Sequence, residues 1–151
     1  MRKTLAKRMA AMTIATAAFA AGAAAAQMPQ ASLRAGKHSI EAEVAANEAN
    51  RRLGLMYRGN LPEGRGMVFV FTSDALICMW MKNTLIPLSV AFIDHEGRII
   101  NIEDMAAQSE DNHCAAKPAR YALEMNQGWF AKHGIKAGDT VEGMKSLPQG
   151  R

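Results

Sequence analysis

The sequence predicts a mainly β domain, a compact β-sandwich or barrel-like unit with two short helices. Three observations support this fold class. Apolar and polar residues alternate in several short stretches, turn residues separate these stretches, and only two short segments have helical character. A chain of 151 residues favours one domain. We assign that domain to residues 38–144.

Seven stretches are predicted to be strands, because they are rich in apolar and β-branched residues and are bounded by turn residues. In the first stretch, Ile40, Ala42 and Val44 alternate with two glutamates, as in a strand with one buried face. A turn at residues 94–97 predicts a hairpin between the fourth and fifth strands. The strands span residues 38–45, 67–71, 77–82, 88–93, 98–103, 121–125 and 140–144.

The two predicted helices are short. Asn47 can accept a hydrogen bond from the free backbone N–H groups at a helix start, which predicts a helix over residues 48–53 that ends near Gly54. Residues 129–133 predict a single helical turn closed by Gly134.

The remaining segments after residue 26 carry no periodic pattern. Residues 27–37 mix proline and glycine with polar residues, so they are predicted to form a flexible leader. Residues 72–74 are predicted to separate two strands, and residues 104–119 to form a polar loop. Residues 145–151 are predicted to be a frayed tail.

The first 26 residues have the pattern of a Sec-type signal peptide. Four basic residues precede Met9–Ala21, an uncharged stretch of 13 mainly apolar residues, and small residues lead to a cleavage site after Ala26. The alternatives are an N-terminal helix of the domain and a membrane anchor, but the stretch is shorter than the roughly 20 residues of a membrane span. We therefore expect a periplasmic or secreted protein, in a compartment where disulfides form.

The net charge of +4 belongs to this N-terminal segment. Without its four basic residues, the remaining fourteen Lys and Arg balance the fourteen Asp and Glu. Binding to nucleic acid or to an anionic membrane surface needs clustered positive charge on the folded domain. We therefore expect neither partner, and no later apolar run is long enough to span a membrane.

Cys78 and Cys114 are the only cysteines. A disulfide between them would close a loop of about 37 residues and stabilise the domain by about 4 kcal/mol on the chain-entropy model. The alternative is one buried thiol and one free loop thiol. Catalysis by Cys114 with the adjacent His113 is disfavoured, because neighbouring residues on a strand point to opposite sides.

Familiar catalytic patterns are missing from the sequence: there is no phosphate-binding glycine loop, HExxH, GxSxG or CxxC. The sequence therefore predicts no catalytic constellation and no cofactor. Met79 and Met81 share one strand face, and their thioethers could bind Cu(I), with His113 as a further ligand. The competing interpretation places both methionines in the core, where methionine fills irregular gaps. On that balance no metal site is assigned.

Polar residues at predicted strand ends are the candidate ligand-binding site. Lys82, Asn83 and Thr84 would donate hydrogen bonds at the rim of a pocket, and Trp80 would form an apolar wall. The predicted ligand-binding residues are Trp80, Lys82, Asn83, Thr84, Glu124 and Arg52.

Glu124 lies in the middle of a predicted strand, with Arg52 as its expected companion in orienting a ligand. Strand alternation favours a solvent-facing Glu124. If its side chain instead points inward, it needs a basic partner, or its pKa must rise.

Several motifs, among them the distinctive Trp-Met-Lys-Asn-Thr at residues 80–84, resemble the DUF192 (UPF0127) family in the right order over residues 38–143. The resemblance implies a compact, mainly β domain of sandwich-like type that is often exported, and it implies no agreed activity. The family often carries an acidic residue after the Pro-Leu pair, where this chain has Ser89. The resembling segments are residues 52–58, 66–71, 80–84, 87–88, 94–97, 121–124, 128, 133–135 and 138–139.

Together these patterns predict an exported, monomeric module that binds a small polar ligand or an envelope component. Two alternatives stay open. One is a hydrolase of envelope material that uses Glu124 as general acid or base, which an inward Glu124 with a raised pKa would favour. The other is a Cu(I)-binding protein that uses Met79 and Met81.

Overall fold

The computed structural model describes residues 27–151. The predicted signal peptide lies outside the described residues. Within residues 27–151, no helix combines the length and the apolar character needed to cross a membrane.

The described part of the chain is built from nine strands, two α-helices and one short 3-10 helix. The helices are α1 (Glu48–Leu53), α2 (Trp129–Lys132) and the 3-10 helix Met144–Ser146. The strands are β1 (Gln30–Ala35), β2 (His38–Ala45), β3 (Arg65–Ala75), β4 (Cys78–Met79), β5 (Leu88–Ile93), β6 (Ile99–Met105), β7 (His113–Cys114), β8 (Ala119–Asn126) and β9 (Val141–Glu142).

Seven of these strands form one sheet in the order β6-β5-β8-β3-β2-β1-β9, and β4 pairs with β7 separately. All neighbours are antiparallel except β2 and β3. The sheet curls into a half-barrel whose edge strands meet at one end, where Arg98 bridges Thr140 and the Ile99 N–H donates to the Asp139 C=O at 2.9 Å. The mainly β prediction is confirmed, and the barrel-like alternative describes the sheet.

Both faces of the sheet are covered, and β8 shows the consequence. Tyr121, Leu123 and Met125 pack in the inner core, to which strands from both edges of the sheet contribute. Ala122 lies on the opposite, outer face, in a second core closed by residues that follow α1 and flank β4 and β7. Because both faces are buried, every residue from Tyr121 to Met125 is buried.

The predicted flexible leader is wrong for residues 30–35, which form β1. Leu33 and Ala35 are buried, whereas the alternating residues Ser32 and Arg34 face solvent. Gly36 has a φ of 58° and, with the following residue, forms a two-residue hairpin loop to β2. The alternation is short and weakly apolar, so a sequence window centred on the leader misses it.

Four other boundaries differ from the predictions. Strand β3 continues through residues 72–74 to Ala75 with a shift of register after Val70, so these residues do not separate two strands. The predicted strand 77–82 is reduced to β4, and the predicted loop 104–119 contains β7. The last predicted strand shortens to β9.

The tail is also ordered against the domain rather than frayed. Gly143 has a φ of 94° and begins the 3-10 helix, whose Met144 is buried in the inner core. At the end of the chain, the Arg151 N–H donates to the Ala46 C=O at 2.8 Å. These long-range contacts are invisible to a local pattern.

Both short helices are confirmed, and α1 begins with the predicted cap. The Asn47 side-chain oxygen accepts a hydrogen bond from the Asn50 N–H at 2.8 Å, and Gly54 ends the helix with a φ of 49°. We expect Asn47→Ala to lower the free energy of unfolding by about 1 kcal/mol, because one N–H at the helix start loses its partner. Urea denaturation would measure this change, and Asn47→Asp, which keeps the cap, should stay near wild type. Equal losses in both variants would contradict a capping role.

Candidate functional site

An open cleft of about 520 Å³ lies on the outer face of the sheet, between α1 and β4. A narrow inner cavity of about 40 Å³ adjoins it and reaches the middle of β8. The two spaces share the side chains that join them, so we describe them as one site, the outer cleft and the inner cavity. The shared residues are Arg51, Arg52, Phe69, Met79 and Trp80.

Glu124 lines the inner cavity. It is only 3% exposed, and its neighbours across the sheet are Met67 on β3 and Val90 on β5, both fully buried. Burial raises the pKa of Glu124 to about 8. Among the ion pairs and side-chain hydrogen bonds of residues 27–151, none involves its carboxyl group. The carboxyl is therefore mainly protonated at neutral pH.

The solvent-facing interpretation of Glu124 is wrong, and the inward alternative is correct. Alternation along a strand separates two faces but does not say that one of them is wet. Since a core covers each face of the sheet around β8, its polar residue is buried whichever face it occupies. No basic side chain in residues 27–151 pairs with Glu124. The second expected outcome of an inward position, a raised pKa, is the one found.

Thr84 is the second buried polar residue of the inner cavity, and it is 5% exposed. A turn holds it in place: its N–H donates to the Met81 C=O at 3.0 Å, and its C=O accepts from the Gln108 N–H at 2.9 Å. Its hydroxyl lies 3.5 Å from the Lys82 carbonyl oxygen, which is a long and weak contact. The hydroxyl can therefore exchange this contact for a stronger one.

Two consecutive arginines of α1 line both spaces but behave differently. The Arg51 guanidinium donates to the carbonyl groups of Ala46, Val70 and Arg151 at 2.8, 2.9 and 3.1 Å. These three bonds fix it as a rigid wall. Arg52 forms an i,i+4 ion pair with Glu48, but its side chain is 80% exposed. An exposed pair of this kind contributes little stability, so Arg52 can exchange its partner.

Trp80 forms the apolar wall that was predicted, and its ring is partly open to solvent, at 47% exposure. Lys82 and Asn83 do not line the site. The Lys82 ammonium lies 5.3 Å from the centre of the Trp80 ring. Asn83 has a φ of 57°, and its C=O accepts from the Tyr57 N–H at 2.9 Å, which makes it a turn residue.

The structure therefore brings together four of the six predicted residues: Arg52, Trp80, Thr84 and Glu124. Lys82 and Asn83 lie outside because the chain turns between Met81 and Thr84 and carries both side chains away. Arg51 and Met79 line the site but were not among the predicted binding residues. The only local signal for Arg51 was its position beside Arg52 in α1.

The predicted disulfide between Cys78 and Cys114 is present and forms part of the outer cleft wall. The two residues are direct partners in the β4–β7 pair, with Cα atoms 4.0 Å apart. In the same register Met79 lies opposite His113. Met81 is fully buried in the outer core. The disulfide therefore crosslinks the short pair of strands next to Trp80, and the Ala115 N–H also joins the two segments by donating to the Ile77 C=O at 2.8 Å.

No curated protein matches this chain. A crystal structure of a protein of unknown function from Novosphingobium aromaticivorans DSM 12444 is 32% identical, with a TM-score of 0.74, and the match covers 87% of this chain and 99% of that one. A second crystal structure is of a protein from Sinorhizobium meliloti 1021 that has been suggested to be a transcription regulator. It is 35% identical, with a TM-score of 0.69, and the match covers 74% of this chain and 89% of that one.

The model of the DUF192 family, described as "Uncharacterized ACR", matches residues 31–143. The match includes the resembling segments at residues 52–58, 80–84 and 121–124, and it extends upstream to include β1. The chain belongs to the DUF192 family.

Proposed function

We propose that the protein is an exported binding module whose outer cleft and inner cavity hold one small polar ligand. The observation that carries this proposal is the buried carboxyl group of Glu124, which lines the inner cavity and whose pKa is raised by burial to about 8. A protonated carboxyl both donates and accepts hydrogen bonds. Within residues 27–151 the only fully enclosed side-chain polar atom without a partner is Trp129 Nε1. The Glu124 oxygens therefore border the space of the inner cavity, where a ligand can supply hydrogen-bond partners.

The dimensions of the site define the ligand further. A cavity of about 40 Å³ exceeds the roughly 10–15 Å³ that one water needs, so it admits a hydroxyl, amide or similarly small head group. This head group would contact Glu124 and the Thr84 hydroxyl. The body of the ligand would lie in the wider cleft against Trp80 and Met79. An anionic substituent could replace Glu48 as the partner of Arg52.

Export is supported by the signal-peptide pattern of residues 1–26 and by the disulfide, since disulfides persist in oxidising compartments. In that compartment, envelope components and their fragments are available ligands. We propose a periplasmic or secreted location and a monomeric state for the module, without a bound cofactor.

The test is a thermal-shift screen of the mature protein with monosaccharides, amino acids and short dicarboxylic acids. Binding of each hit would then be followed by Trp80 fluorescence. Glu124→Leu should weaken binding at least about tenfold, because one buried hydrogen bond is lost, while Glu124→Gln, which keeps a donor and an acceptor, should bind within about threefold of wild type. Arg65→Ala, remote from the cleft, is the matched control. Unchanged affinity in Glu124→Leu would remove the proposal.

The second candidate is the hydrolase, and the inward Glu124 with a pKa of about 8 favours it. A carboxyl that is protonated at neutral pH can serve as a general acid. Glu124→Gln separates the two functions: a binding module keeps its affinity, whereas a hydrolase keeps its affinity and loses turnover. No observation favours the Cu(I) hypothesis over packing, because Met81 is fully buried. Titration with Cu(I) under reducing conditions tests it.

A further inference from the structure

A second groove, of about 520 Å³, lies along the free edge of β6. Residues 101–104 of β6 form one side, and Phe130 of α2 together with residues 135–137 forms the other, with Ser89 between them. We call it the edge groove. It shares no lining residue with the outer cleft or the inner cavity, so it is a separate site.

The edge groove exists because the half-barrel closes only at one end. There, the Ile99 N–H donates to the Asp139 C=O, and the Gly138 N–H donates to the Ile99 C=O at 2.8 Å. Further along β6, residues 101–105 pair with β5 alone. The second half of β6 is therefore an unpaired strand edge.

The hydrogen-bond pattern shows which backbone groups face this edge. The Gln127 N–H donates to the Pro87 C=O, which makes the adjacent partners Leu88 and Asn126 a pair without mutual backbone bonds. Such pairs alternate with bonded ones along a ladder. Val90 therefore directs its backbone groups away from β8 and toward β6.

On β6 the partner of Val90 is Glu103, so the backbone N–H and C=O groups of Glu103 form hydrogen bonds with β5. Its neighbours Ile102 and Asp104 then direct their N–H and C=O groups outward, into the edge groove. A side-chain contact agrees with this register: the Ser89 hydroxyl donates to Asp104 Oδ1, as expected where partners without mutual backbone bonds bring their side chains close.

The side chains along the groove complement these free backbone groups. Ile102, Phe130 and Ile135 make one wall apolar. Glu103 and Asp104 add two carboxylates at the strand edge. Glu103 accepts a long hydrogen bond from Asn101 and lies 3.9 Å from His113 Nδ1, and Asp104 accepts from Ser89. Lys136 across the groove is paired with Asp139, with Nζ 3.3 Å from Oδ1. The groove therefore presents an apolar wall beside a net negative strand edge.

We propose that the edge groove binds an extended peptide, which adds to β6 as a further antiparallel or parallel strand and alternates apolar with basic residues. Ile102 and Asp104 would supply backbone donors and acceptors, and strand addition of this kind uses main-chain bonds for affinity and alternate side chains for specificity. An apolar residue opposite Ile102 would face Phe130 and Ile135. A basic residue opposite Glu103 would meet its carboxylate.

A second copy of this chain fits the edge less well. Antiparallel pairing centred on Glu103 would place this residue opposite its own copy, and like charges directly opposite one another destabilise a ladder. A basic partner gains from the same charges. Charge complementarity therefore favours a foreign basic peptide over self-association.

The probes are four labelled hexapeptides: alternating Lys and Val, alternating Glu and Val, and two forms of the Lys-Val peptide, N-methylated either at its Lys residues or at its Val residues. Fluorescence anisotropy with the mature, oxidised protein should show saturable binding of the Lys-Val peptide. Binding of the Glu-Val peptide should be at least about tenfold weaker, and binding of the methylated peptide should be lost in one of its two methylation registers.

Two variants at one position separate the edge from the fold. Ile102→Pro removes an N–H that faces the groove, and an edge strand tolerates proline where that N–H is outside the ladder. We expect it to fold and to bind the Lys-Val peptide at least about tenfold more weakly, while Ile102→Val, which keeps the N–H, stays within about twofold.

Amide hydrogen exchange of the wild-type protein gives a readout that does not depend on a variant. The amides of Ile102 and Asp104 should exchange fast in the free protein and slowly with the Lys-Val peptide bound. No binding of that peptide, equal binding of the Glu-Val peptide, or unchanged exchange at both amides would overturn the proposal. So would a stable dimer of the free protein whose interface protects the same amides.

Discussion

Replacing both Cys78 and Cys114 with serine is expected to lower the free energy of unfolding by about 4 kcal/mol. The two cysteines are 36 positions apart in the sequence. A crosslink over this distance lowers the chain entropy of the unfolded state, which stabilises the folded state by about 4 kcal/mol. Urea denaturation of the double variant and of wild type at one pH measures the difference. Both cysteines are exposed, so the serine hydroxyls reach water and add no burial cost.

The same substitution should also loosen the outer cleft. Strands β4 and β7 have two residues each, and a two-stranded pair of this size is not stable without further support. We expect Trp80 emission to shift toward that of a fully exposed indole, while buried Trp129 is unchanged. Wild type treated with a reductant serves as the control, because it should reproduce both effects. An unchanged denaturation midpoint in both samples would contradict this role of the disulfide.

Raising the pH from 7 to 9 is expected to destabilise wild type but not Glu124→Gln. The pKa of Glu124 is about 8 in the folded state, above its ordinary value of 4.5, so the folded protein holds more protons between these values. Its contribution to stability is fully present below pH 4.5 and is lost as the pH rises through 8. The slope is about 1.4 kcal/mol per pH unit only between about pH 5.5 and 7, where the two states differ by nearly a full proton, and it flattens above pH 8. The total loss from pH 7 to 9 is therefore about 1.4 kcal/mol.

Denaturation midpoints at pH 7, 8 and 9 measure this slope. His38 does not interfere, because partial burial and the nearby His133 lower its pKa, which places its titration below this window. Glu142→Gln is a matched control at an exposed glutamate and should keep the wild-type slope. Parallel slopes in wild type and Glu124→Gln would show that the carboxyl does not carry the proton at neutral pH.

The resemblance to DUF192, read from motifs at residues 52–58, 80–84 and 121–124, is confirmed by the family match. Helix α1 shows why local features were predictable: the Asn47 cap and the Gly54 stop act within a few residues of the helix itself. Strand β2 has the predicted bounds because its apolar and polar residues alternate with the two-residue period of a strand that has one buried face. The pairing of Cys78 with Cys114 followed from their number and the expected compartment, although the sequence left an unpaired state open.

The candidate site depended on tertiary structure. Arg51 and Glu124 are 73 positions apart in the sequence, and only the packing of α1 against the curled sheet brings them to one cavity. Lys82 and Asn83 belong to the same motif as Trp80 and Thr84, yet a turn places them elsewhere. A motif shows which residues are neighbours along the chain, and it does not show which of them share a cavity.

The sequence by itself determined the mainly β class, the family, the two short helices and the positions of most strands, because these features arise from interactions over a few residues. The tertiary structure alone decided that β1 joins the sheet, that Glu124 is buried and that β6 keeps a free edge. These three features depend on which strands become neighbours, and that choice rests on contacts between residues distant in the chain. The burial of Glu124, and with it the raised pKa on which the proposed function rests, is set by those contacts.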